Sequence, residues 1–366
     1  MSPFLIRLER EFRSAKDERT RAELEAKRAA YLARTGDFNS AKEIVARLRA
    51  TYADGRDVRV TILIMVAEAL IYNYEDLNQT GLDRIIRAQL LSRMAKDLHL
   101  EAITSAWRAH IEFENSMFIE MFSSLEAANG SAVLCGNNEA MARVANIACK
   151  IGLLCGETSF ANSQFLLGRE KALLDEDQAS IEALQHNKAA FRLSRLRSRM
   201  CFDPVDVDDL KQTRIEIASA RSLQHLARIN ALSNYIDLCQ AHLLIVENRF
   251  MEAIDSLNAI RGAGPFPVGT FSLKMLDLEI SFCLARLERF DDAINVFQNI
   301  GAIEIEALDA DEILFVRWIQ LQLTERDERF GSSATARINF EIAVAKYNDM
   351  VDYLRAGLNN IFLPKK

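Results

Sequence analysis

A chain of 366 residues with 49% apolar and 27% charged side chains has the balance of a folded soluble protein. It is too long for one ordinary core, so two domains or a repeat array are expected. Its net charge of −7 gives no general attraction to nucleic acid or anionic lipid.

Five prolines and 14 glycines leave long stretches free of helix breakers, and an all-α chain is expected. Ser2-Pro3 reads as a cap with proline in the first turn. A charged helix then runs to about Arg34, Gly36 ends it, and Phe38 opens its partner. Further pairs are predicted over 57–74 and 80–98, 101–115 and 118–135, and 138–155 and 160–174. Cys201 to Asp209, with a proline among four aspartates, reads as a loop in which Asp208 or Asp209 caps the next helix. A Gly- and Pro-rich break follows at 262–269. Neither irregularity is a linker, so one continuous array over 1–366 is expected. Helix content should be at least about 65% with no sheet, because apolar spacing is near 3.6 throughout.

A short pattern recurs along this series. Phe250 and Phe290 stand 40 residues apart, as do Phe290 and Phe330, and Phe38 to Phe118 is twice that distance. Nine residues before the aromatic stand Ala29, Ala109, Ala241 and Ser281. Three after it stand Ala41, Ala253, Ala293 and Ser333, with Met121 as the exception. Seven after it stand Val45, Leu125, Leu257 and Phe297. Two helices of a hairpin approach closely where small side chains face each other, so the spacing predicts a stacked series of hairpins. Phe250 and Phe290 are expected to be buried at equivalent corners.

Gly36-Asp37-Phe38 with Ala41 resembles a tetratricopeptide repeat, and Arg249-Phe250 with Ala253 and Arg289-Phe290 with Ala293 are similar to it. Residues 130–230 match only loosely. The period is near 40 rather than the family's roughly 34 residues, and the closing proline is missing. Those departures look like the longer repeats of bacterial maltose-regulator-type activators and of helical modules before some bacterial signalling enzymes. The resemblance implies a right-handed α-solenoid of about eight antiparallel helix pairs, with a concave groove for peptides or proteins. Groove positions counted along the first helices are Tyr235, Leu238, His242, Met275, Leu278 and Phe282. They form no lysine–asparagine clamp.

The sharpest charge feature is Lys188 to Arg199, with no acid from Asn187 to Phe202. Arg192, Arg195 and Arg199 share one helical face. They suit an acidic or phosphorylated partner, or else answer the aspartates at 203–209. In the first case their joint replacement should leave folding almost unchanged. Cys239 and His242 share a face, but spacing sets no third ligand, so no metal or other cofactor is expected. Glu182 with His186 and His110 with Glu114 read as ordinary helix pairs. Trp107 and Trp318 are assigned to the core.

No nucleophile–base pair or phosphate loop is visible, so an enzyme is not expected. The six cysteines form no CxxC pair, which points to reduced thiols in a cytoplasm. The early charge at Arg7 argues against a signal peptide, and the apolar run 61–67 is too short for a membrane span. The expected function is a non-catalytic protein- or peptide-binding scaffold in bacterial signalling or regulation. The alternative is a regulator that senses a small molecule or peptide in its groove. A protein or peptide partner is expected, and neither membrane nor nucleic acid.

Overall fold

The computed structural model describes residues 2–52, 55–76, 79–227, 233–262, 273–301, 303, 305 and 308–362. Among these, 87% are helical and none lies in a strand. The first helix is α1 (Pro3–Ser14), capped by the Ser2 hydroxyl on the Leu5 amide. Helices then come in pairs: α2 (Glu18–Thr35) with α3 (Phe38–Tyr52), α4 (Val58–Asp76) with α5 (Gln79–Met94), and α6 (Leu98–Glu114) with α7 (Phe118–Cys135). Next are α8 (Asn138–Cys155), α9 (Thr158–Leu174), α10 (Gln178–Met200) and α11 (Val207–Ala227). The series continues with α12 (Ser233–Val246) and α13 (Phe250–Gly262), then α14 (Leu273–Arg286) and α15 (Phe290–Asn299). It closes with α16 (Ala310–Thr324), a 3-10 turn at Glu328–Phe330, and α17 (Ser333–Phe362).

The chain divides into two compact units. Unit 1 holds residues 1–151, 158–185 and 223–231, and unit 2 holds residues 152–157, 186–222 and 232–366. In unit 1 the first helices of successive pairs pack side by side, α2 on α4 and α4 on α6. In unit 2, α14 packs on α16 in the same way. The predicted loop at 201–209 shortens to residues 201–206, since α11 begins at Val207. Asp206, not Asp208 or Asp209, caps that helix by accepting from the Asp208 and Asp209 amides. All but Gly262 of the second predicted irregularity lies outside the described residues.

The corner pattern has a backbone cause. Phe38, Phe118, Phe250 and Phe290 are each the first residue of a helix. Two residues earlier the backbone turns left-handed, at Gly36, Ser116, Asn248 and Glu288. The next amide then reaches back five residues, as from Asp37 to the Leu32 carbonyl (3.0 Å) and from Arg249 to that of Leu244 (2.9 Å). This closes the preceding helix and aims the next one back along it. A left-handed residue with a side chain costs on the order of 1 kcal/mol, and hairpin packing offsets it where glycine is absent. Lys96 adopts the same conformation, so α5 stops at Met94 rather than running on to Leu98, and Asp97 caps α6 through the Leu100 amide.

The small residues sit at the seam. Ala29, Ala109, Ala241, Ser281, Ala41, Ala253 and Ala293 are all fully buried. The Ser281 hydroxyl donates to the Ala293 carbonyl (2.8 Å), so α14 touches the backbone of α15 directly. Ser333 departs from the pattern and is exposed, because Phe330 lies in the 3-10 turn and the helix starts only at Ser333.

The two corner aromatics are not equivalent. Phe250 is buried and meets Phe282 edge-on at 6.1 Å, whereas Phe290 is only half-buried. Phe250→Ala should therefore cost roughly 3–5 kcal/mol, the range for buried aromatics, and Phe290→Ala distinctly less. Urea midpoints followed by Trp318 fluorescence check the order, and equal losses would contradict it.

Candidate binding site in the interior of unit 1

In unit 1 the first helices send polar side chains toward one another. Arg34 at the end of α2 donates to Asp177 (2.5 Å) and to the Ser180 hydroxyl (3.3 Å), across 143 and 146 residues of chain. Arg34 also lies over the rings of Tyr31 and Trp107. Tyr74 of α4 contacts His110 of α6 through its hydroxyl (3.4 Å to Nε2). On α8, Lys150 pairs with Glu114 and lies 4.2 Å from the Phe113 ring centroid. Arg143 of α8 lies 3.7 Å over Trp107. The Trp107 indole N–H reaches Glu139 at 3.4 Å. A cavity beside these groups is lined by Phe4, Lys27, Tyr31, Arg34, Trp107 and Glu139, among others.

Burial dominates the electrostatics here. It works against the charge of Asp177, but Arg34 and the Ser180 hydrogen bonds outweigh it and hold the carboxyl below its usual range. Burial lowers the Lys150 ammonium, and Glu114 offsets this only in part. His110 is driven well below the ordinary imidazole value by burial and by Lys150, Arg143 and Arg34, so it stays neutral at physiological pH. Arg143 is opposed by its own burial. A guanidinium does not deprotonate in proteins, so this is a stored cost and not a titration.

Glu182 of α10 is a further buried acid, and its Oε1 has no hydrogen-bond partner among the described residues. Burial raises it from 4.5 to about 7. At pH below the unfolded value the carboxyl is neutral in both states and carries no penalty. Between about 4.5 and 7 only the unfolded chain ionises, so stability falls as pH rises; beyond that range the loss is complete. Glu182→Gln should therefore melt like the parent in acid and above it at pH 8. Parallel melting curves at every pH would refute this.

The residues singled out from the sequence lie in unit 2. Arg192, Arg195 and Arg199 do come together around one small pocket, with Leu153, Leu196 and Asp209. Arg192 is buried and bonds Glu216 (2.9 Å), and it shares Asp209 with Arg199 (3.6 and 3.3 Å). Arg195 packs on the turn at Gly156, where a Cβ would fall 2.6 Å from its Nη2. Because Arg192 is buried against a buried acid, its replacement will weaken folding, contrary to the expectation for an exposed face.

Tyr235 is half-buried and meets His186 edge-on at 6.3 Å. His242 is buried between Arg197 (2.9 Å at Nδ1) and Glu279 (3.1 Å at Nε2). Phe282 is 2% exposed and packs with Phe250 and Trp318 in the core of unit 2. Leu238, Met275 and Leu278 are buried in that core too. The counted groove positions are thus filled by packing. Among the described residues, no three His, Cys, Asp or Glu side chains gather in a metal-binding group. None of the described helices is long and apolar enough to cross a membrane.

Sequence reasoning passed over Arg34, Arg143, Lys150 and Asp177. A signal was present in α8: Glu139, Arg143, Asn146 and Lys150 recur at spacings of four, three and four in an otherwise apolar helix. Arg143, Asn146 and Lys150 are all buried. Comparison with protein-family models and with curated proteins finds no match.

Proposed function

We propose that the chain is a non-catalytic scaffold that binds a peptide or a protein segment in the interior of unit 1, as a cytoplasmic adaptor in bacterial signalling or regulation. In this reading it is a tetratricopeptide-like, right-handed α-solenoid of the long-repeat kind, with a period near 40 residues running through residues 1–366. The recurring hairpin turn and the side-by-side first helices support the repeat architecture.

The observation that carries the binding reading is the buried charge of that interior. Arg34, Arg143, Lys150, Asp177 and Glu182 are enclosed in an interior where apolar groups of matching volume often serve stability as well or better. Arg143 Nε and Glu182 Oε1, which have no hydrogen-bond partner among the described residues, cost folding energy that a partner with matching polar groups would recover. The Arg34–Asp177 contact favours a second reading, a ligand-responsive regulator. A ligand that competes for either side chain would loosen a link between distant parts of unit 1 and so alter its affinity for a partner.

Panning a displayed random-peptide library on the immobilised chain tests the first reading. Enriched peptides should protect amides of α2, α6, α8 and α10 from hydrogen exchange. No enrichment over a blank surface, or protection confined to unit 2, would refute it. A peptide that binds a monomer and raises exchange around Arg34 and Asp177 would favour the regulator.

A further inference from the structure

Arg143 is 4% exposed, and its Nε has no hydrogen-bond partner among the described residues. No carboxylate among the described residues forms an ion pair with it. Its compensation is the Trp107 face at 3.7 Å and charges at longer range. Those neighbours are largely committed elsewhere. Asp177 is taken by Arg34. Glu139, one helical turn before Arg143, accepts from the Trp107 indole and is half-exposed. Tyr74 and His110 carry no charge near neutrality, the tyrosine raised by burial and the histidine lowered by it. A planar fork of donors stacked on an indole face, with no oxygen of the described residues to receive it, is half of a recognition pair.

We infer that Arg143 seats an oxyanion, a carboxylate or a phosphate, carried by whatever occupies the interior of unit 1. Trp107 forms the floor under the guanidinium. Glu139 is the competing acid: it turns toward solvent when the oxyanion arrives and frees the indole N–H as a further donor. The adjoining cavity, which shares Trp107 and Glu139 with this seat, takes the rest of the ligand. The inference rests on the reading of that interior as a binding site and names the chemistry it selects.

The chain has two tryptophans, so Trp318→Phe leaves Trp107 as the sole indole reporter. The full-length variant is titrated with inorganic phosphate, with acetyl-glycyl-glycine, and with the amide of that dipeptide. A saturable change in Trp107 emission is expected from at least one anion and not from the amide. Response to phosphate alone assigns a phosphorylated ligand, and response to the free acid alone assigns a carboxylate. Arg143→Gln should weaken the responding anion by about tenfold or more, and Glu139→Gln should strengthen it several-fold by removing the competitor. Circular dichroism checks that Arg143→Gln folds; if it does not, the Glu139→Gln result decides. Absence of saturation with every probe, or an affinity that neither substitution moves, overturns the inference. If library peptides still protect unit 1 in that event, the binding reading stands and the oxyanion seat alone falls.

Discussion

Arg143→Met raises the stability of unit 1. The guanidinium is buried, permanently charged and without an ion-pair partner among the described residues, so folding desolvates it with little return beyond the Trp107 face. Methionine keeps much of the length, fills the space over the indole and adds a favourable sulfur–aromatic contact. Replacing buried ionic groups by apolar ones of similar volume gains about 1–4 kcal/mol in comparable settings. An increase at the lower end of that range is expected here, since the cation–π contact is lost as well. The chain has two compact units, so a single melting temperature would blur the result. Trp107 emission in urea follows unit 1, and a midpoint shifted upward is the expected outcome. A loss of similar size would mean that the guanidinium is satisfied within the folded chain, which removes the reason to assign it a ligand. A gain in stability joined to a loss of binding would be the signature of a residue kept for recognition at the expense of folding.

Glu279→Gln should damage unit 2 far more than its small change in shape suggests. Glu279 of α14 is fully buried and accepts from Arg197 of α10 at 2.6 Å. Burial works against its charge, yet His242 and Arg197 outweigh it and hold the carboxyl below its usual range. His242 is itself lowered by burial and by Arg197, which favours the neutral ring. That ring takes the arginine at Nδ1 and faces the carboxylate with Nε2. Arg197 also covers the Phe315 ring at 3.9 Å. Neutralising Glu279 leaves the Arg197 charge buried and uncompensated, a loss of about 3–5 kcal/mol. Adding Arg197→Met should recover most of it, because the stranded charge is then gone. Trp318, stacked on Phe315 at 5.7 Å, reports unit 2 in the same urea experiment. Additive losses in the double variant would show that the two side chains do not act as a pair.

The sequence by itself determined the helices, their corners and their seams. These are local: glycine at Gly36, an aromatic opening α3, α7, α13 and α15, and alanine or serine at the interface all act through residues within one hairpin. Spacings of three, four and seven are therefore enough to read them. The arginine face was legible in the same way, and its three members do share a pocket. Burial was not legible, because it depends on what a distant segment brings to the face. Glu216 of α11 makes Arg192 a buried partner while Arg199 stays half-exposed. Phe282 and His242 were counted as groove positions, and packing between helices turned them into core and ion-cluster residues. The interior of unit 1 is the extreme case. Arg34 and Asp177 are 143 residues apart, and Arg143 meets Trp107 from another hairpin. Helix periodicity says which residues share a face, but which faces meet, and whether a charge there finds its counter-charge, is decided only when the hairpins pack.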